Sequence, residues 1–238
     1  MVKDGSLAMS KILIIGTSYI HGAAAAEMFR LWADTTLRLN PDADILVVDS
    51  ASPMELPYYP PPLKYLNLPD NVGHLARGGK DGWGRAFSAG IGYAIRNEYE
   101  WVANIECDML CAVPVEEIFA KMIRAGVKCC APMAMPYHFT ETGCSFWSVP
   151  YLAKSKLVET YDWQNSKPTG PLPEQRIDAI CAEDMFALPM RGMRNDARYN
   201  ADQIQAMFPF GIDWITHCEL PVARRFMEMN KLGEVEYV

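Results

Sequence analysis

The sequence predicts an α/β fold in which a mostly parallel central sheet is flanked by helices. Short apolar runs rich in β-branched residues alternate with stretches of helical periodicity, beginning with strands at Lys11–Gly16 and Asp44–Ser50 and a helix at Gly22–Leu39 between them. A strand–helix–strand unit of this kind is right-handed, and it brings the carboxyl ends of both strands to one edge of the sheet. Open α/β sheets bind their ligands at that edge.

The later segments continue this alternation. The proline-rich stretch Pro53–Pro69 predicts an extended connection, because each proline lacks an amide donor. A glycine-dense turn at Gly78–Arg85 then leads into a helix. Further strands are predicted at Trp101–Cys107, Val127–Ala131 and Gly143–Val149. Further helices are predicted at Ala86–Asn97, around Glu116 and Glu117 with Pro114 near the first turn, at Tyr151–Val158 and at Ile177–Leu188.

Length and composition favour a single α/β domain. A chain of 238 residues with 50% hydrophobic content can bury one sizeable core, so we expect one domain over residues 9–238, preceded by a polar leader at residues 1–8. The net charge of −7, without a dense Lys/Arg cluster, argues against nucleic acid as a partner.

Cysteine usage and hydropathy bear on the cellular location. Seven cysteines, an odd number that includes the adjacent pair Cys129 and Cys130, make a disulfide framework improbable and favour a reducing cytoplasm. No apolar run reaches the roughly 18 residues that a membrane-spanning helix needs. We therefore expect a cytoplasmic protein without a transmembrane segment.

Two carboxylates mark the end of the strand predicted at Trp101–Cys107. Glu106 and Asp108 are two residues apart there, so both can face one cation, and carboxylate oxygens suit Mg²⁺ or Mn²⁺. A divalent ion at this place would bind a diphosphate and stabilise the negative charge of a leaving phosphate. The alternative is a pair of solvated acids at the exit of a strand.

The same residues carry a resemblance to a known family. The succession of VVDSAS, a glycine-containing loop, GRAFSAGIGYAI and EWVANIECDML over Lys11–Leu110 resembles family 2 and related GT-A glycosyltransferases. The resemblance implies the Rossmann-like GT-A fold, with Asp49 contacting the nucleoside, Arg85 near the diphosphate, and Glu106 and Asp108 in place of the D-x-D metal motif. The first motif position is Glu rather than Asp, which departs from the family's pattern.

Additional side chains are candidates for the nucleotide site. Thr17 and Ser18 resemble the first nucleoside-contacting loop of the family, although simple helix capping by Ser18 explains its position equally well. Lys80 and Gly82 lie in the glycine-dense turn before a helix, where backbone amides and the helix N-terminus attract phosphate. Ordinary surface charge is the alternative for Lys80 and Arg85.

Later residues could complete the chemistry. The family resemblance suggests that Glu183 and Asp184 form an acidic pair at a helix start, with Asp184 as the general base of an inverting transfer. An exposed helix face explains the pair equally well. His217 follows an apolar, strand-like stretch and is a candidate third metal ligand, as a late histidine is in some members of the superfamily, or else a structural histidine.

These observations favour a metal-dependent transferase that uses Mn²⁺ or Mg²⁺ to move a sugar from a nucleotide-sugar donor, preferably a UDP-sugar, to a carbohydrate or glycoconjugate acceptor. A sugar-nucleotide pyrophosphorylase or a dinucleotide-dependent oxidoreductase would carry a glycine signature after the first strand, where Gly16 is instead followed by TSYIHG. A non-catalytic protein that binds nucleotide sugars or carbohydrates remains an alternative.

Overall fold

A computed structural model describes residues 11–57, 59, 61–73, 80–134, 139–155, 157–161, 171–181, 183–194, 206 and 211–232. Its strands are β1 Ile12–Ser18, β2 Asp44–Asp49, β3 Leu63–Asn67, β4 Trp101–Ile105, β5 Met109–Cys111, β6 Cys129–Ala134, β7 Phe139–Thr140, β8 Cys144–Ser148, β9 Met185–Leu188, β10 Gly192–Arg194 and β11 Trp214–Thr216. Its helices are α1 Ala23–Leu39, α2 Lys80–Arg96, α3 Val115–Ala125, α4 Val149–Ser155, α5 Leu157–Thr160, α6 Pro173–Cys181 and α7 Leu220–Met229.

The main sheet has the strand order β3-β2-β1-β4-β8-β6-β7, and β9 pairs with β6 outside this path. Strands β3, β2, β1 and β4 are mutually parallel, whereas β8 runs antiparallel to both β4 and β6. A second, three-stranded sheet has the order β10-β11-β5. The prediction of a mostly parallel sheet flanked by helices is therefore confirmed.

The two faces of the sheet bury two separate hydrophobic clusters. Successive side chains of a strand point to opposite faces, so Ile14 packs with α1 residues such as Trp32 on one face, while Ile15 packs with α2 residues such as Phe87 on the other. The indole of Trp32 donates a hydrogen bond to the carbonyl oxygen of Ile105 at 3.1 Å. A Cβ at Gly16 would lie 2.4 Å from the Trp32 ring, so glycine is required for this close approach.

The structure corrects several predicted boundaries. Helix α2 begins at Lys80 rather than Ala86, and Gly82 in its first turn lies so close to the backbone of Gly73 that an added Cβ would be 2.8 Å from the Gly73 Cα. The extended connection contains the edge strand β3, which pairs with β2. The helix predicted at Ile177–Leu188 is wrong beyond Cys181, since Met185–Leu188 forms β9 and pairs in parallel with β6.

Among the helices that the structure describes, none combines the length and apolar character needed to cross a lipid bilayer.

Candidate metal and nucleotide site at the carboxyl edge of the sheet

Three neighbouring parallel strands end side by side and supply the floor of the site. Strand β1 lies between β2 and β4, so the residues that follow these strands meet at one edge. Hydrogen bonds between backbone groups continue past the strand ends. The amide of Cys107 donates to the carbonyl oxygen of Thr17 at 3.1 Å, and the amide of Ser50 donates to the carbonyl oxygen of Ser18 at 2.9 Å. These bonds fix the loops after β1, β2 and β4 relative to one another.

Glu106, Asp108 and His217 form a compact cluster at this edge. Each contributes one potential ligand atom, and these atoms lie within 4.8 Å of one another. The second sheet brings His217 there, because β11 pairs antiparallel with β5 in a register that sets Thr216 against Met109. The next residue along β11 therefore faces the residue before β5, and Nδ1 of His217 lies 3.4 Å from Oδ2 of Asp108.

The backbone at His217 is held in an unusual conformation. Its φ of 52° lies in the left-handed region, which is uncommon for residues other than glycine. Residues in such conformations persist where the surrounding structure fixes them, and they are concentrated at functional sites. The β5–β11 pairing on one side and helix α7 on the other supply that constraint.

The cluster brings several acidic groups together in a partly buried place. Burial raises the pKa of Glu106 well above its usual range, and the nearby carboxylates of Asp108 and Glu141 raise this pKa further, against the opposing effect of Arg194. Oδ1 of Asp108 is buried and accepts no hydrogen bond from any residue that the structure describes. Buried carboxylate oxygens of this kind are normally paired or bind a metal ion.

The donor set fits a divalent metal ion. Two carboxylate oxygens and one imidazole nitrogen suit Mn²⁺, and the carboxylates also suit Mg²⁺. The orphaned Oδ1 of Asp108 is the atom that a cation would satisfy. The cluster can therefore hold a metal ion, and its members are the three residues that the sequence suggested as candidate ligands.

An open cleft of about 770 Å³ lies directly against this cluster. Glu106 and Asp108 line it together with Thr17 and Ser18 from the end of β1, and Gly82 lines it from the first turn of α2. The structure thus brings five of the candidate residues to one cavity. Lys80 begins α2 beside them, and its side chain lies outside the described residues.

The cleft also has an exposed aromatic side chain, in the segment that resembles the nucleoside-contacting loop, to which the sequence analysis assigned no role. Tyr19 lines the cleft with 45% of its surface exposed, and its ring stacks on that of His21 at a centroid distance of 5.8 Å. A large exposed ring beside polar groups is a suitable surface for stacking a planar ligand.

Two candidate residues, Asp49 and Arg85, are not among the residues that line the cleft. Asp49 is 4% exposed, and its carboxylate accepts hydrogen bonds from Ser52, while the neighbouring Ser50 lines the cleft. The guanidinium of Arg85 donates to the carboxylate of Asp70 at 2.9 Å and to the carbonyl oxygen of the same residue at 3.2 Å. Arg85 therefore braces the loop before α2.

Glu183 and Asp184 are not brought to the cluster. They precede Met185, the first residue of β9, which pairs with Cys129 of β6. Cys129 lies opposite Trp147 of β8, and Trp147 lies opposite Val102, near the start of β4. The pair therefore lies at the edge of the sheet where β4 begins. Glu106 follows the other end of β4, so roughly 10 Å of strand separates the two edges before any sideways distance is added. The pair also stands in the turn before β9 rather than at a helix start.

Three charged residues near the cluster were missed by the sequence reasoning. Arg194 donates to Glu141 at 3.0 Å and to Glu174 at 3.0 Å, and both carboxylates are buried. A Cβ at Gly143 would lie 2.9 Å from Oε1 of Glu106 and 3.1 Å from Oε1 of Glu141, so the two carboxylates flank the same glycine.

A weak sequence signal exists for one of these three residues. Glu174 follows Pro173, a pair typical of the first turn of a helix, and it is the acidic residue in the first turn of α6. Glu141 follows the two-residue strand β7 and Arg194 ends the three-residue strand β10, and neither sequence carries a comparable pattern.

The architecture is that of the GT-A glycosyltransferases, which confirms the fold implied by the resemblance. The chain superposes on the galactosyltransferase LgtC in complex with donor and acceptor sugar analogues with a TM-score of 0.54 and 11% identity, covering 93% of this chain and 95% of that one. Mouse xyloside xylosyltransferase 1, in its apo form, gives a TM-score of 0.52 and 11% identity, covering 88% of this chain and 98% of that one.

A glycosyltransferase involved in the glycosylation of the major capsid of PBCV-1 is similar to the same degree, with a TM-score of 0.53, 11% identity and coverage of 93% of this chain and 99% of that one. No family sequence model and no curated protein sequence matches the chain. At these identities the likeness establishes the fold.

Proposed function

We propose that the chain is a metal-dependent glycosyltransferase that moves a sugar from a nucleoside-diphosphate sugar, preferably a UDP-sugar, to an acceptor hydroxyl on a carbohydrate or glycoconjugate. One observation carries the proposal. Glu106, Asp108 and His217 offer ligand atoms within 4.8 Å of one another, and two of these residues line a cleft large enough for a nucleotide sugar. The fold it shares with solved glycosyltransferases supports the same reading.

Glu106, Asp108 and His217 would hold Mn²⁺ or Mg²⁺. When bound, such an ion supplies a positive charge that stabilises the diphosphate as it leaves. The protein's part is to keep two carboxylates and an imidazole fixed at the end of β4 and beside β5, so that little reorganisation is needed when the donor binds.

The end of β1, next to the cluster, suits the nucleotide. We assign Thr17 and Ser18 to hydrogen bonds with the nucleoside, and Tyr19 to stacking on its base, because all three line the cleft at the end of β1. Gly82 and Lys80 belong to the first turn of α2, a helix of 17 residues. We assign the amides of that turn and the Lys80 ammonium to the phosphates.

We do not keep Glu183 and Asp184 as the catalytic carboxylates, although the sequence suggested them. Glu183 and Asp184 precede β9 at the opposite edge of the sheet, so the proposal gives them no part in proton transfer. The buried carboxylates on the cluster's side, Glu141 and Glu174, share Arg194 and are proposed to shape the polar wall next to Glu106.

Ligand binding provides the first test. UDP, GDP, ATP and NAD are added to the protein with and without Mn²⁺, and thermal unfolding is followed. A ligand at 100 times its dissociation constant adds about 2.7 kcal/mol of stability, which is readily detected. We expect stabilisation by UDP that requires Mn²⁺; stabilisation by NAD alone would replace the transferase with an oxidoreductase.

Turnover separates an enzyme from a binding protein. Release of UDP from a panel of UDP-sugars is measured in the presence of Mn²⁺ for the wild type, for Asp108→Ala and for the control Asp42→Ala, which alters an exposed acid beyond the amino end of the sheet. We expect loss of release in Asp108→Ala only. Metal-dependent UDP binding without any release would identify a non-catalytic binding protein.

A further inference from the structure

Asp49 is buried at the end of β2, and both of its carboxylate oxygens are engaged by one neighbour. Oδ2 accepts a hydrogen bond from the backbone amide of Ser52 at 2.9 Å, and Oδ1 accepts one from the Ser52 hydroxyl at 2.5 Å. Only 4% of Asp49 is exposed, and the residue does not line the cleft. Its carboxylate therefore faces Ser52 rather than open space.

The Ser52 hydroxyl continues the chain to the loop after β1. Its oxygen accepts a hydrogen bond from the backbone amide of Ile20 at 2.6 Å. A hydroxyl has one proton to donate and two lone pairs to accept, so the same group serves Asp49 and Ile20 at once. The carboxylate of Asp49 orients this proton, which leaves the oxygen lone pairs facing the Ile20 amide.

The turn that positions Ser52 is conformationally demanding. Ala51 has a φ of 55°, in the left-handed region that is costly for a residue with a Cβ. An aspartate that accepts from a nearby backbone amide stabilises such turns, because it satisfies a donor that the turn leaves free. Asp49 thus stabilises the turn whose shape delivers the Ser52 hydroxyl.

The loop held in this way forms one wall of the cleft. Ser18, Tyr19 and Ile20 all line the cavity, and Tyr19 is the exposed ring assigned above to the base. The Ile20 amide is therefore the anchor point of the segment that would receive the nucleoside.

We infer that Asp49 is a positioning residue that acts through Ser52 to hold the Ser18–Ile20 loop in its nucleoside-binding shape, and that it makes no direct contact with the ribose or base. The inference rests on the proposed function for the identity of the ligand. It differs from the family's expectation, under which the acid at this position contacts the nucleoside itself.

The experiment compares Ser52→Ala, Asp49→Asn, Asp49→Ala and the double variant Asp49→Ala/Ser52→Ala with the control Ser155→Ala, which removes a hydroxyl bonded to the carbonyl of Leu152. Dissociation constants are measured by calorimetry for UDP, 2′-deoxy-UDP and 3′-deoxy-UDP with Mn²⁺, and for Mn²⁺ alone. Amide hydrogen exchange of the Tyr19–Ile20 segment is measured in the nucleotide-free protein.

Positioning predicts that Ser52→Ala and Asp49→Ala each weaken UDP and both deoxy analogues by a similar factor of about five to ten, with little further loss when the two are combined. The Mn²⁺ affinity of both variants stays at the wild-type value, and amide hydrogen exchange at Ile20 accelerates. The UDP affinity of Asp49→Asn lies between those of the wild type and Asp49→Ala. A generally destabilised protein would not keep its metal affinity while losing nucleotide.

Direct contact predicts a different pattern. If Asp49→Ala abolishes the preference for UDP over a deoxy analogue while Ser52→Ala binds like the wild type, the inference is overturned. If the wild type binds neither UDP nor GDP, the proposed function is wrong. In that case the amide hydrogen exchange of Ile20 in the nucleotide-free protein still tests the inference: an exchange rate that is unchanged in both Ser52→Ala and Asp49→Ala overturns it.

Discussion

Nδ1 of His217 lies 3.4 Å from Oδ2 of Asp108, although the two residues are far apart in the sequence. The contact is a consequence of the antiparallel register between β5 and β11, which places Thr216 against Met109 and so brings the flanking residues together. In the proposed metal site, the imidazole would add a nitrogen ligand to two carboxylates, a set that suits Mn²⁺ better than Mg²⁺.

His217→Ala is therefore expected to weaken Mn²⁺ binding about 10- to 100-fold, because one ligand of three is lost, and to weaken Mg²⁺ binding less. Titration followed by the electron paramagnetic resonance of free Mn²⁺ measures the first constant without any nucleotide. His21→Ala, which alters a ring stacked on Tyr19, is the matched control. Equal Mn²⁺ affinity in His217→Ala and wild type would remove His217 from the site.

Gly143→Ala tests whether Glu106 must occupy its observed position. The added Cβ would lie 2.9 Å from Oε1 of Glu106, so the carboxylate has to move, and because it is the end of a flexible side chain it can do so without unfolding the protein. We expect Mn²⁺ affinity to fall several-fold while the melting temperature changes little.

The control for this glycine substitution is Gly22→Ala, where the added Cβ meets nothing within 4 Å. Its Mn²⁺ affinity should equal that of the wild type. Wild-type affinity in Gly143→Ala would mean that the position of Glu106 is not required for the metal ion.

The first half of the chain was predictable because its signals are local. Buried parallel strands are continuous apolar runs, and the acids that follow them reach one edge for topological reasons alone. This is why Glu106 and Asp108 could be placed at that edge from sequence, whereas Thr17 and Ser18 were suggested by the family resemblance; the structure finds all four around one cleft.

The structure of the second half of the chain was harder to predict, because its helices and strands are short and depend on partners far away in the sequence. Met185–Leu188 resembles the continuation of a helix, yet parallel pairing with β6 makes it a strand and sends Asp184 to the far edge. Arg194 belongs to a strand of three residues, and nothing local indicates that its guanidinium meets Glu141 and Glu174.

Removal of Arg194 is expected to destabilise the fold. Arg194→Met leaves the buried carboxylates of Glu141 and Glu174 without their shared cation, and breaking a buried ion pair from one side costs about 3–5 kcal/mol. Urea unfolding at pH 8, above the pKa of about 7 of Glu141, measures the loss. The control Arg224→Met, which breaks an exposed pair with Glu27, should change the free energy of unfolding by less than about 1 kcal/mol.

Neutralising the two acids should compensate for the loss of Arg194. In the triple variant that combines Arg194→Met with Glu141→Gln and Glu174→Gln, no uncompensated charge is buried, so most of the lost stability should return. A triple variant no more stable than Arg194→Met alone would show that the side-chain packing of Arg194, rather than its charge, is what the fold requires.

Glu141 should make the stability of the metal-free protein depend on pH. Burial raises its pKa from 4.5 to about 7, against the opposing charge of Arg194. The folded state therefore holds a proton that the unfolded state releases, so the contribution of Glu141 is fully present below about pH 4.5 and is lost as the pH rises through about 7. The free energy of unfolding should fall by up to about 3 kcal/mol across this window.

Urea unfolding in EDTA between pH 4.5 and pH 8 measures this dependence. Glu141→Gln carries a neutral amide at every pH, so its stability relative to the wild type should rise with pH across the window, even though Glu106 titrates in both proteins. The exposed control Glu55→Gln should run parallel to the wild type. A constant difference between Glu141→Gln and wild type would mean that Glu141 is already ionised at pH 4.5, held so by Arg194, and that the guanidinium outweighs burial.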